Sequence, residues 1–243
     1  MKVLLLAAGR GTRISRYLGG KPKCLVPIGD TSLIKYSVEL LLSRGVTKIG
    51  VVLGYQGYEI RSELKGYDVK FFNNPVYDVT NSIVSIWFAK DFMNEDEDVL
   101  IMNADVYLEE DTLDSILESK LERVVFADSD RIIDADYKLK YNGSTLIDHG
   151  KHLEGDDISG EYIGVGRLSA SCLPDFLTRL DDMVNTQQHS LWWENVLYNN
   201  NAEVPVSIEE ITGKFWAEVD YIEDYSRILK RRGEDQLLNS LQI

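Results

Sequence analysis

Apolar residues along this chain fall either in short unbroken runs or in stretches where they recur every three or four positions, the pattern of buried strands alternating with amphipathic helices. Val3-Leu4-Leu5-Leu6 is a run of the first kind, closed by small residues, and suits a parallel strand covered on both faces. Thr31 or Ser32 can then cap a helix whose apolar face is Leu33, Ile34, Val38, Leu41 and Leu42, and Gly45 ends it. Lys48–Leu53 predicts a second strand with Gly54-Tyr55 at its C-terminal end, Tyr58–Leu64 a short helix, and Val69–Phe72 a third strand. A β-α-β-α-β opening of this kind predicts a parallel sheet with ligands outside the C-terminal ends of its strands.

Further on, Asn81 and Ser82 sit where helix caps sit, before a helix running from Ile83 to about Phe92. Val99–Met102 is another buried strand, running into Asn103-Ala104-Asp105. A surface helix from Asp111 to about Ser119 and a strand over Arg123–Ala127 follow. From Asp134 the character changes: Tyr137–Tyr141, Asn142-Gly143 and Ser144–Ile147 read as a hairpin with a strong turn signal. The region to about Gly166 is expected to form a small β-rich lobe over the sheet edge. Amphipathic helices are expected over Ala170–Val184 and Leu191–Tyr198, a last strand over Phe215–Asp220, and a helix over Tyr221–Lys230. The fold class is α/β: a Rossmann-like, mostly parallel central sheet flanked by helices, with that lobe above the site.

Composition narrows the function. The 243 residues are 44% hydrophobic and 27% charged, an ordinary globular balance sufficient for one α/β domain with a large core. No apolar run reaches the roughly 18 residues of a membrane span. A net charge of −14 argues against a broad basic face for nucleic acid. Cys24 and Cys172 are isolated and form neither a disulfide framework nor a zinc site. The opening residues enter a strand directly, without a leader pattern. A cytoplasmic protein is therefore expected, with neither nucleic acid nor membrane as a partner; a homo-oligomer is left open.

Against that acidic background, Lys2 to Gly29 holds no Asp or Glu but carries Arg10, Arg13, Arg16, Lys21 and Lys23. Gly9 and Gly11 allow a tight turn after the first strand, whose successive N–H groups can cradle phosphate oxygens. A polyphosphate ligand is the economical reason for such an island. The dinucleotide fingerprint fails because Ile14 stands where its third glycine belongs, and the P-loop fails because Gly20-Lys21 is followed by Pro22. The stretch Leu6-Ala7-Ala8-Gly9-Arg10-Gly11-Thr12-Arg13 with Pro22-Lys23 instead resembles the nucleotidyltransferase superfamily that activates phosphorylated sugars and small alcohols. Thr80–Trp87 and Gly160–Gly164 resemble its branch of bacterial phosphocholine and other small-headgroup cytidylyltransferases.

That resemblance implies a Mg²⁺-dependent cytidylyltransferase that condenses CTP with a small phosphorylated acceptor, such as phosphocholine, phosphoglutamine or 2-aminoethylphosphonate, and releases pyrophosphate. One domain would span 1–243, its nucleotide half about 1–127 and its acceptor half about 128–243. CTP would meet Leu6, Ala8, Gly9, Arg10, Gly11 and Thr12, with Asn81 and Ser82 near the base. Arg13, Lys23, Asp105 and Asp220 would be catalytic, and Asp105 and Asp220 would hold Mg²⁺. Glu218, two residues from Asp220 on the same strand face, would be a near neighbour of the ion. Glu161 is a candidate for an acceptor's ammonium or amide, beside Tyr162. Trp192, Trp193 and Trp216 offer aromatic faces for a quaternary ammonium; adjacent Trp192 and Trp193 cannot share a helix face, so one is expected to pack. His149, His152 and His189 carry no ligand pattern. Two other readings stand beside this one. A sugar-1-phosphate nucleotidyltransferase using UTP, dTTP or CTP has the same chemistry, with the Thr80–Trp87 run against it. A non-catalytic nucleotide-sensing subunit is disfavoured because Lys23, Asp105 and Asp220 are all present.

Overall fold

The computed structural model describes residues 1–11, 13–14, 18–93, 97–133, 135–234 and 236–237. Its spine is β1 (Lys2–Ala7), followed by the short antiparallel pair β2 (Pro27–Ile28) and β3 (Thr31–Ser32), then α1 (Leu33–Ser43), β4 (Lys48–Leu53), α2 (Gly57–Glu63) and β5 (Val69–Asn73). Ser32 caps α1, its hydroxyl accepting the Lys35 N–H at 3.3 Å. β4 lies parallel to β1 and β5 parallel to β4. Helices α3 (Ser82–Phe88) and α4 (Lys90–Met93) then return the chain to β6 (Val99–Asn103), parallel to β1 on its other side. The single helix expected over 83–92 breaks at Ala89, whose N–H closes on the Ile86 carbonyl in a tighter turn.

The second half runs through β7 (Val106–Leu108), α5 (Glu110–Glu118), β8 (Arg123–Asp128), β9 (Lys138–Asn142), β10 (Thr145–His149), β11 (Gly160–Leu168), α6 (Leu173–Asn185), α7 (Asn195–Tyr198), β12 (Ser207–Glu210), β13 (Trp216–Glu218) and α8 (Ile222–Arg232). The large sheet has the order β5-β4-β1-β6-β11-β8-β12-β10-β9. It is parallel from β5 to β6, after which β11 enters antiparallel to both β6 and β8. The β9–β10 hairpin is continuous with the sheet, through β12 at its edge and through a second pairing of β9 with β11. Asn142 pairs with Thr145, so the hairpin loop is Gly143-Ser144, one residue later than the Asn-Gly signal suggests.

The unbroken apolar run of β1 has a direct cause. Val3 and Leu5 enter the core beneath α1, while Leu4 enters the one beneath α3 and α6, so both faces are covered. Each such side chain contributes roughly 1.5–3 kcal/mol by leaving water. A third cluster, with Ile28, Tyr107, Val219, Ile228 and Leu229, packs α8 against the separate β7–β13 pair. Leu191–Tyr198 is helical only in its last turn. The Trp193 N–H donates to Ser82 Oγ at 2.9 Å and the Asn81 N–H to the His189 carbonyl at 2.8 Å, so this segment braces the start of α3. Among the described residues, no helix is long and apolar enough to cross a membrane.

Candidate active site

The chain leaves β1, builds outward through β4 and β5, and crosses back to β6, so the C-terminal ends of β1 and β6 flank the point where the strand order reverses. A cavity of about 310 Å³ opens there, walled by Leu6, Ala8, Gly9, Gly11, Lys23, Asn81, Ser82, Asp105, Trp192, Glu194 and Glu218, among others. The turn after β1 is tied to its neighbours by the Tyr55 N–H donating to the Ala8 carbonyl at 3.0 Å and the Ala104 N–H to the Leu6 carbonyl at 3.1 Å. Gly11 has φ +60°, and a Cβ there would run into Lys23 Cγ and stand 2.8 Å from Cε. Gly11→Ala should therefore displace the lysine rather than unfold the half-exposed turn. It is expected to lower kcat/KM about 10²-fold, as an ångström-scale misplacement does, while Tm moves by only a few degrees in a thermal melt.

Three carboxylates converge on the same floor. Asp105 follows β6, and its carbonyl accepts the Val219 N–H at 2.9 Å. The antiparallel register that sets Glu218 opposite Val106 brings Glu218 and Asp220 alongside. One oxygen from each of Asp105, Glu218 and Asp220 lies within 4.8 Å of the others. The Lys23 ammonium stands among them, 3.2 Å from Asp105 Oδ2 and in direct contact with Asp220 Oδ1. Burial opposes its charge, but Asp105 and Asp220 more than reverse this and raise its pKa. Arg13 approaches Asp220 Oδ2 at 2.6 Å. Burial, and then the charges of Asp105 and Asp220, push Glu218 well above the usual carboxylate range, and Asn103 Nδ2 donates to it at 3.3 Å. A cluster offering only carboxylate oxygens within reach of one ion fits a hard divalent cation such as Mg²⁺.

Asn81 caps α3, accepting the Ser82 N–H at 2.8 Å, while its Nδ2 donates to the Ser190 carbonyl at 3.2 Å. Arg10 lies outside the cavity wall, over the Tyr55 ring. Thr12 and Arg16 lie outside the described residues. Two further cavities adjoin the first, and Glu218 walls all three. The smaller, about 210 Å³, is lined by Tyr137, Tyr162, Trp192 and Glu194 together with Arg13, Asp220 and the paired Lys151 and Asp136. The larger, about 370 Å³, has Arg131, Glu161, Trp216, Asp224 and Arg227 in its walls.

The aromatic and acidic candidates therefore separate. Trp192 is half-exposed at the cavity wall, whereas Trp193 is fully buried against Phe176 and corrects the expectation of an acceptor contact there. Trp216 is held by its indole N–H on Asp128 at 2.7 Å. Glu161 is committed to Arg131 at 2.7 Å and to the Asp136 N–H at 2.8 Å, away from Tyr162 and Trp192. His149, expected at the hairpin surface, is half-buried, accepting or donating to Tyr137 at 2.9 Å and packed on Tyr198.

Glu194 had no signal in the sequence. It is buried between the two cavities, and burial pushes its pKa up from 4.5 to about 7. The folded protein thus holds a proton that the unfolded chain releases, so this residue costs stability as pH rises from about 4.5 to about 7. Glu194→Gln is expected to leave stability nearly unchanged near pH 4 and to raise it near pH 8 by on the order of 3 kcal/mol, read as a higher Tm there. Melts at the two pH values read this directly.

The chain resembles known proteins over most of its length. The family model described as MobA-like NTP transferase domain matches residues 3–192. The chain is 30% identical to CTP:phosphoglutamine cytidylyltransferase of Campylobacter jejuni, over 92% of this chain and 97% of that one. It is 28% identical to 2-aminoethylphosphonate cytidylyltransferase of Lancefieldella rimae, over 90% and 88%. Its fold matches the solved CTP:phosphocholine cytidylyltransferase of Streptococcus pneumoniae with a TM-score of 0.78 at 24% identity, covering 95% of this chain and 98% of that one.

Proposed function

The chain belongs to the MobA-like NTP transferase family and is a nucleotidyltransferase, and on that premise we propose that it joins CTP to a small phosphorylated acceptor in a Mg²⁺-dependent reaction. The observation that carries this reading is the placement of Lys23 and the Asp105–Glu218–Asp220 carboxylates in one cavity with the glycine turn after β1. CTP fits with its triphosphate over the Gly9–Arg13 turn and its base toward Asn81 and Ser82. An oxygen of the acceptor's phosphate or phosphonate attacks the α-phosphorus, the bond to the bridging oxygen breaks, and pyrophosphate leaves. The nucleophile is already an anion, so no general base is needed and the work is positioning and charge stabilisation. Lys23 and Arg13 supply positive charge to the reacting phosphates once released from Asp220. Asp105 and Asp220, with Glu218 beside them, would hold Mg²⁺, which when bound neutralises charge developing on the phosphate oxygens.

Pyrophosphate release, measured over a grid of nucleoside triphosphates and acceptors, tests this assignment. Turnover is expected in the CTP row with small amine- or amide-bearing phosphates, and its loss on chelating Mg²⁺. Turnover confined to UTP or dTTP with sugar 1-phosphates would instead establish the sugar-nucleotide reading.

A further inference from the structure

The segment between α6 and α7 is strapped to the start of α3. The Asn81 N–H donates to the His189 carbonyl at 2.8 Å, Asn81 Nδ2 to the Ser190 carbonyl at 3.2 Å, and the Ile83 N–H to the Leu191 carbonyl at 3.4 Å. Asn81 Oδ1 takes the Ser82 N–H at 2.8 Å. The opening N–H groups of α3, which a helix leaves without partners of its own, are therefore occupied inside the protein. One polar atom is only half used. Ser82 Oγ accepts the Trp193 N–H at 2.9 Å, and among the described residues nothing accepts its proton. A hydroxyl both accepts and donates, and Ser82 stands in the wall of the nucleotide cavity. Ser85 walls the same cavity, but its oxygen takes Asn74 Nδ2 at 3.1 Å and ties only to the turn before α3.

The atom that Ser82 holds is the pivot of the strap. Trp193 is fully buried against Phe176, and its neighbours Trp192 and Glu194 each wall both the nucleotide cavity and the 210 Å³ cavity beside it. That second cavity also includes Asp220, so an acceptor entering it meets the reacting centre. We propose that Ser82 is a positioning residue that couples the two substrates. Its proton goes to the bound nucleotide while its oxygen holds Trp193, so nucleotide binding fixes the Trp192–Glu194 wall against which the acceptor sits. This rests on the nucleotidyl-transfer reading above and adds to it how the second cavity is made ready. Hydrogen bonds in a chain strengthen one another, so an acceptor atom on the nucleotide tightens the Ser82–Trp193 bond. By linkage the effect is reciprocal, and an occupant of the second cavity tightens nucleotide binding by the same factor.

The test uses cytidine 5′-(α,β-methylene)triphosphate, whose bridging carbon blocks transfer, with Mg²⁺ and with phosphocholine or 2-aminoethylphosphonate as second ligand. In the wild type a saturating second ligand is expected to lower Kd for the analogue about tenfold in calorimetry. Ser82→Ala should still bind the analogue, with the second ligand changing its Kd less than about twofold, and Ser82→Thr, which keeps the hydroxyl, should recover part of the coupling. Acrylamide quenching of tryptophan emission, read as the difference from Trp192→Phe, should show Trp192 shielded by the analogue in the wild type and not in Ser82→Ala. A merely structural Ser82 would lower Tm and weaken both ligands without changing the coupling. Coupling that survives Ser82→Ala, or that is absent from a wild type binding both ligands, would overturn the proposal while leaving nucleotidyl transfer standing. Where neither second ligand binds, the quenching result decides, and equal shielding in the two proteins overturns it. Failure of the wild type to bind the analogue would overturn the nucleotidyl-transfer reading itself.

Discussion

Asp220→Asn is expected to lower kcat/KM by about 10³-fold or more while the protein stays folded. Asp220 accepts from both Arg13 and Lys23 and is one of the three carboxylates whose oxygens fall within 4.8 Å. The amide keeps its shape but removes a full negative charge. A divalent cation held there would lose a ligand, and stabilisation of several kcal/mol at the reacting phosphorus would go with it. Stability should suffer far less, because Asp220 also repels Glu218, whose carboxyl it helps push upward. The same substitution at Asp105 should behave alike. Steady-state kinetics beside a thermal melt separate the two effects, and near-normal turnover in both variants would remove the metal assignment.

Lys23→Met is the second large effect, and it acts on both stability and rate. The lysine is 15% exposed at its side chain and is the cation lodged among the carboxylates. Without it, Asp105, Glu218 and Asp220 stay clustered with, among the described residues, only Arg13 as a cation in contact, at Asp220 Oδ2. Breaking a buried pair in this way costs on the order of 3–5 kcal/mol. Turnover should fall by roughly 10²–10³-fold through lost charge stabilisation. The diagnostic is the response to Mg²⁺. In the wild type a metal must compete with the ammonium for the same oxygens, whereas in Lys23→Met it meets none, so added Mg²⁺ should raise Tm more in the variant. Equal shifts in both proteins would mean that lysine and metal do not share these carboxylates.

Parts of the fold and site were legible in the sequence because their signals are local. The Val3–Leu6 run and the cap at Asn81 each depend on neighbours in sequence, and β1 and the start of α3 lie where those patterns place them. Glu218 and Asp220 were expected as a pair on one strand over Phe215–Asp220, but β13 ends at Glu218, and Asp220 is brought alongside by the Val219 N–H bonding to the Asp105 carbonyl. Other features depend on distant contacts. β12 is Ser-Ile-Glu-Glu, with one buried apolar residue, and becomes a strand by lying parallel to β8. Glu194 looks like any surface acid until the preceding residues dock on α3 through the Trp193–Ser82 bond, 111 positions apart in the chain. That contact also decides which tryptophan faces the cavity. Glu161 lies on a recognisable run, but its pairing with Arg131 depends on a residue thirty positions away.

The central claim is transfer of a nucleotidyl group to a small phosphorylated acceptor at the Lys23–Asp105–Glu218–Asp220 site. The most direct test is ³¹P NMR of the protein with CTP, Mg²⁺ and an ammonium-bearing acceptor. The account predicts loss of the triphosphate and acceptor signals, with a new bridged product and free pyrophosphate appearing in equal amounts, and no change with Asp220→Asn. CTP left intact, or broken down to CMP or CDP while the acceptor signal persists, would contradict it.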